Sequence, residues 1–140
     1  MSSPSLLEQI YAMPELKACP IETTFRMIGR KWTILILREL FRGVTQFNRL
    51  QENIEGINPK MLSLRLKELQ RFGIIERKIF SEAPIRVRYD LTKTGWQLGP
   101  VLAAAAKFSM TLFPKLVFKD GKPRTPEENG KARVAIESEP

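Results

Sequence analysis

The sequence predicts a mainly helical domain carrying one small β-hairpin. Three observations lead there. Apolar residues recur at helical spacing through most of residues 19–113. A helix, a short glycine-containing turn and a second helix fill residues 45–72, and directly after Gly73 the apolar period shortens to that of strands.

The elements follow in order. Leu6, Leu7, Ile10 and Tyr11 have the spacing of one short amphipathic helix within an N-terminal arm, residues 1–18. Residues 22–28 read as a short helix closed by Gly29. Residues 30–41, with Trp32, Ile34, Leu35, Ile36, Leu37 and Leu40, are apolar on most sides, as expected of a central helix ended by Gly43. Thr45 is the expected N-cap of a helix over 46–53, in which Phe47, Leu50 and Ile54 share a face. Gly56 breaks it. Asn58 then caps a second helix with Pro59 at its first position, where a missing N–H costs nothing.

That helix extends to about Phe72, with Leu62, Leu66 and Leu69 as its inner stripe. Residues 74–80 and 86–91 alternate as strands, joined by a loop over 81–85. Thr92 or Thr94 caps a long helix over 95–112, and residues 114–140 form a charged, proline-containing tail expected to be disordered beyond Asp120. A hairpin directly after a helix-turn-helix is a wing, so residues 19–113 are expected to form a winged helix-turn-helix domain.

Composition narrows the chemistry. The chain has no histidine, which removes the commonest general base and metal ligand. Its one cysteine, Cys19, permits neither an internal disulfide nor a cysteine zinc site. No phosphate-binding glycine loop is present, so no metal, cofactor or catalytic residue is expected, and the chain is not expected to be an enzyme. A thiol enzyme built on Cys19 would lack a histidine partner. There is no run of 18 apolar residues and no secretory leader pattern at the start, so a cytoplasmic protein without membrane contact is expected.

Charge points to the partner. The chain carries 23 Lys and Arg against 15 Asp and Glu, a net of +8. Between Arg26 and Lys93 there are 15 basic and 7 acidic residues, so the whole excess lies in the middle segment. A polyanion that releases counterions on neutralisation is the natural partner of such a field, against the alternative of a merely solubilising surface.

On the second helix of the pair, stepping about 100° per residue from Leu62 puts Lys60, Leu64, Lys67 and Arg71 on the far side, with Ser63 at the near edge. Lys60 and Ser63 are candidates for base edges, Lys67 for base or phosphate, and Leu64 for a thymine methyl. Arg65 lies on the flank, between a DNA role and pairing with Glu68. Thr45 and Gln46 at the start of the first helix, and Arg77, Lys78, Arg86 and Arg88 on the wing, complete the expected contact set for double-stranded DNA.

The residues also resemble a known family. Cys19-Pro20-Ile21, Ile28-Gly29-Arg30-Lys31-Trp32-Thr33, Ile36-Leu37-Arg38-Glu39-Leu40 and Phe47-Asn48-Arg49-Leu50 look like the opening of HxlR-type regulators. So do Ile57 to Leu66, Gly73-Ile74-Ile75-Glu76-Arg77 and Tyr89-Asp90-Leu91-Thr92-Lys93-Thr94-Gly95, in order over about residues 19–110. The resemblance implies a homodimeric repressor or activator on a palindromic operator, dimerising through N- and C-terminal helices. In some members the cysteine before the proline senses oxidants or electrophiles. Arg30 stands for a usual glycine, Arg88 for a usual glutamate and Phe108 for a common tryptophan.

Cys19 matches the sensing position, against the alternative of an inert packed thiol; Lys17 could help lower its pKa. Trp96, Val101, Leu102, Ala105, Phe108 and Leu112 cover more of the last long helix than one small domain can hide, and are the expected dimer interface. Burial of that helix against residues 1–28 of the same chain is the alternative. The expected place for a small-molecule effector is between the dimer helices and the winged domain, although no residue set marks a pocket there and its identity is open. The competing function is a winged-helix protein-interaction module without operator specificity.

Overall fold

A computed structural model describes residues 5–126. The chain runs α1 (Leu6–Tyr11), α2 (Pro20–Ile28), α3 (Thr33–Phe41), α4 (Phe47–Asn53), α5 (Pro59–Arg71), β1 (Ile75–Glu82), β2 (Ile85–Leu91), α6 (Lys93–Trp96), α7 (Gly99–Leu112) and α8 (Pro114–Val117). This is a mostly helical fold with a two-stranded antiparallel hairpin, a winged helix-turn-helix.

One core organises it. Ile36, Leu37 and Leu40 of α3 meet Leu50 and Ile54 of α4, Leu62, Leu66 and Leu69 of α5, and Ile74, Ile75 and Leu91 at the base of the hairpin. The inner stripe of α5 is the expected one, and burying three leucines contributes roughly 2 kcal/mol each. Asn58 caps α5 as expected, its Oδ1 accepting the Met61 N–H at 2.8 Å. The turn before it places Gly56 at φ +86, a conformation a side chain would resist.

Several boundaries differ from the sequence reading. α2 starts at Pro20 with Cys19 as its N-cap. α3 starts three residues later than expected, because Trp32 adopts a left-handed backbone with φ 80. Ile34 then faces outward and stays 39% exposed, so α3 is apolar on fewer open sides than its composition suggests.

Thr45 does not cap α4: Gln46 is the N-cap residue and makes no side-chain cap bond. The Thr45 carbonyl instead accepts the Tyr89 N–H at 2.8 Å, joining the turn to the wing. The hairpin loop shrinks to Ala83 and Pro84, because Phe80 is an extra residue in a bulge that lets Ser81 pair with Arg86 and Glu82 with Ile85.

The single long C-terminal helix is broken into α6 and α7. Thr92 caps α6 through Gly95 N–H at 3.0 Å, and Gly99 and Pro100 then begin a new helix. The expected disorder beyond Asp120 falls mostly on residues 127–140, outside the described residues. Among residues 121–126, Arg124 pairs with Asp120 at 2.7 Å and lies over the Phe118 ring.

Candidate nucleic-acid interface

The α5 helix presents its two sides as the spacing requires. Lys60, Leu64, Lys67 and Arg71 are exposed and Ser63 is half-buried at their edge, opposite the leucines that hold the helix on the core. No ion pair to Lys60, Lys67 or Arg71 occurs among the described residues, which leaves three cations and a methyl-bearing side chain on one face.

Arg65 is the exception and corrects the expected contact set. Its side chain is buried, its Nε donates to the Lys31 carbonyl at 2.9 Å, and its Nη1 donates to Glu68 Oε1 at 2.9 Å. Glu68 also accepts from Arg30 Nη1 at 3.1 Å. The buried guanidinium ties α5 to the turn before α3 rather than standing on the exposed face of the helix. Arg30, where the resembled family has glycine, thus closes a small network between the turn after α2 and α5.

The wing cations divide. Lys78 Nζ lies 3.0 Å from Glu76 and 3.5 Å from Asp90, and Arg88 Nε lies 2.9 Å from Asp90. The Glu76 carboxylate holds the Lys78 pKa above its ordinary value. Arg77 and Arg86 are exposed and make no ion pair among the described residues. The register, Arg77 opposite Tyr89 and Ser81 opposite Arg86, sets them on opposite faces of the ribbon. Arg88 therefore adds less free charge than its substitution for a glutamate suggests, because Asp90 absorbs it.

At the start of α4, Thr45 and Gln46 border a shallow cleft with Gly43, Val44, Asn53 and Arg49. Arg49 is exposed and makes no ion pair among the described residues. Sequence reasoning missed it, although its position three residues after Gln46 puts it on the same end of α4.

Cys19 sits half-buried at the N-terminus of α2. Its Sγ lies 3.1 Å from the Tyr11 hydroxyl and accepts the Glu22 N–H at 3.5 Å. The Tyr11 hydrogen bond, and after it the Glu22 amide, hold the thiol below its ordinary pKa, while Tyr11 is correspondingly raised. Lys17 is not among the causes of the shift.

The expected dimer residues also divide. Trp96 packs on the core and meets Phe41 edge-on at 5.2 Å between ring centroids, so it serves its own domain. Leu102 is likewise half-buried against the core. Val101, Ala105, Phe108 and Leu112 remain exposed, Phe108 by 57% and Leu112 by 65%. Leu6, Leu7 and Tyr11 of α1 are exposed too, so these residues and the outer face of α7 do not hide one another within one chain.

Among the described residues, no cluster of three metal-ligating side chains occurs, and no helix is long and apolar enough to cross a membrane.

Known proteins share this arrangement. The HxlR-like helix-turn-helix family matches residues 27–116. An HTH-type transcriptional regulator of Synechocystis, sll1512, is 43% identical over 89 residues, covering 64% of this chain and 66% of that protein. The reduced form of the transcriptional regulator YodB from Bacillus subtilis superposes with a TM-score of 0.60 at 36% identity, over 66% of this chain and 91% of YodB. The redox regulator HypR in its reduced form gives 0.61 at 29% identity, over 65% of this chain and 90% of HypR. The chain belongs to the HxlR-like helix-turn-helix family, and the relatives named above are transcriptional regulators.

Proposed function

We propose that the chain is a homodimeric, sequence-specific double-stranded DNA-binding regulator with α5 as its reading helix. The division of α5 carries the reading: Leu62, Leu66 and Leu69 lock it to the core, while Lys60, Leu64, Lys67 and Arg71 stand clear with Ser63 at their edge. Lys60 and Ser63 near its N-terminus are suited to base edges, and Lys67 and Arg71 to phosphates. Arg77 and Arg86 extend the cationic surface along the wing, and Thr45, Gln46 and Arg49 extend it at α4. Lys78 and Arg88, balanced by carboxylates, contribute less.

The uncovered apolar residues of α1 and α7 support a dimer. In a two-fold dimer the reading helices would lie about 34 Å apart, one turn of DNA.

The test is titration of a promoter duplex across a salt series with competitor DNA. Tight, competitor-resistant binding with a steep salt slope is expected. Unchanged affinity on replacing Lys60 and Lys67 by alanine would remove α5 from the interface. Binding that every competitor sequence erases equally would favour a protein-docking role.

Cys19 is the sensing thiol in this reading. The Tyr11 hydroxyl and the Glu22 amide favour its thiolate, and HypR, a redox regulator, shares the fold. The chemical event is an intersubunit disulfide or a thiol adduct. In the disulfide case two Cys19 thiols lose two protons and two electrons to an added oxidant. The diagnostic is oxidant-dependent release of DNA that Cys19→Ser abolishes; release persisting in that variant would place the response elsewhere.

A further inference from the structure

Between α3 and α7 lies an open cleft of about 520 Å³ that the DNA surface, the thiol and the wing do not use. Its walls are apolar: Ile34 and Phe41 from α3, and Leu102, Ala103, Ala106 and Met110 from α7. The outward turn of Ile34 and the small alanines of α7 leave the space open, where larger side chains would close it. The volume falls within the range that holds small organic ligands.

The rim is cationic. Arg38 on α3 and Arg42 at its C-cap stand one turn apart and are substantially exposed. Both reach the single buried carboxylate of Glu39 at 3.1 Å, so one negative charge answers two guanidiniums. Each guanidinium carries five N–H donors, and Glu39 accepts only some of them.

A second copy of the chain is poorly matched to this rim. Of the exposed helices it would bring, α7 (GPVLAAAAKFSMTL) and α8 (PKLV) contain no Asp or Glu, and the one acid of α1, Glu8, is engaged in the capping box with Ser5. Apolar walls with donors at one end call instead for a small molecule of opposite charge.

We propose that this cleft binds an amphipathic organic carboxylate, its apolar body between α3 and α7 and its carboxylate on Arg38 at the rim. The proposal does not depend on DNA binding, and its test contains no DNA. The full-length protein is titrated calorimetrically with 2-naphthoate and with neutral 2-naphthamide. Naphthoate is expected to bind at least about tenfold more tightly, as befits charge-assisted hydrogen bonds.

Arg38→Gln, which leaves Arg42 to hold Glu39, should reduce naphthoate affinity about tenfold and leave the amide unchanged. Ala106→Leu should weaken both ligands by filling the cleft, with Ala103→Leu in its place should that variant fail to fold. No binding, equal binding of acid and amide, or full affinity in the filled variant each overturns the proposal. So does naphthoate-driven dissociation of the oligomer in sedimentation velocity, which assigns the cleft to a second copy.

Discussion

The Tyr11 hydroxyl lies 3.1 Å from Cys19 Sγ, bridging α1 to the N-terminus of α2. This contact is the first cause of the lowered Cys19 pKa. The sign follows directly: a donor to the thiolate lowers the pH at which the thiol ionises, and its loss raises it. Tyr11→Phe is expected to move the pH midpoint of Cys19 alkylation by iodoacetamide upward and to slow alkylation at pH 7 several-fold. A midpoint that stays in place would show that the α2 N-terminal amides govern the thiol alone.

Arg65 is expected to behave as a structural residue. Arg65→Met removes the buried guanidinium that donates to the Lys31 carbonyl and to Glu68, at a cost of about 1–3 kcal/mol. Urea unfolding measures the loss. Operator affinity of the folded variant, measured well below its midpoint, should stay within about twofold of wild type, unlike that of a phosphate-contacting variant. A normal midpoint with lost DNA binding would return Arg65 to the interface.

Two glycines should respond differently to alanine. A Cβ on Gly95 would meet the Ile74 carbonyl oxygen, a backbone atom that cannot swing away. Gly43 has φ +86 but open space around it. Gly95→Ala should therefore cost about 2–4 kcal/mol by forced displacement of packed backbone, and Gly43→Ala about 1–2 kcal/mol from backbone strain alone. Thermal unfolding of the pair distinguishes a steric effect from a conformational one.

Wing cations should rank by their pairing rather than by their number. Arg77→Ala and Arg86→Ala are each expected to flatten the salt dependence of DNA binding by about one unit of slope. Lys78→Ala and Arg88→Ala should change it less, because Glu76 and Asp90 already offset those charges. Equal effects from all four would mean that the intrachain pairs open on DNA.

The proposed dimer has the exposed face of α7 at its contact. Phe108→Glu combined with Leu112→Glu should convert the dimer to monomer in sedimentation velocity without lowering the helical signal. Trp96→Phe should leave the dimer intact, since Trp96 packs against Phe41 in its own domain. A dimer that survives the double substitution would move the interface to another surface.

Much of the chain was legible from local rules. The Asn58-Pro59 start of α5, its leucine stripe and the shift to strand period after Gly73 depend on capping chemistry and side-chain period, which act over a few residues. The exposed cations of α5 could be placed because a helix turns at a known angle per residue. Arg65 could not, because its fate depends on the carbonyl of Lys31, 34 residues earlier.

The sequence by itself determined the order of helices and strands, the core stripes, the basic middle segment and the family pattern. Each arises from spacing and composition along the chain. Tertiary structure decided which cations are free and which are spent, that Trp96 belongs to the core while Phe108 does not, and that α3 and α7 leave a cleft ringed by Arg38 and Arg42. Those outcomes follow from distances between segments far apart in sequence, where burial, ion pairing and steric room depend on how the elements pack.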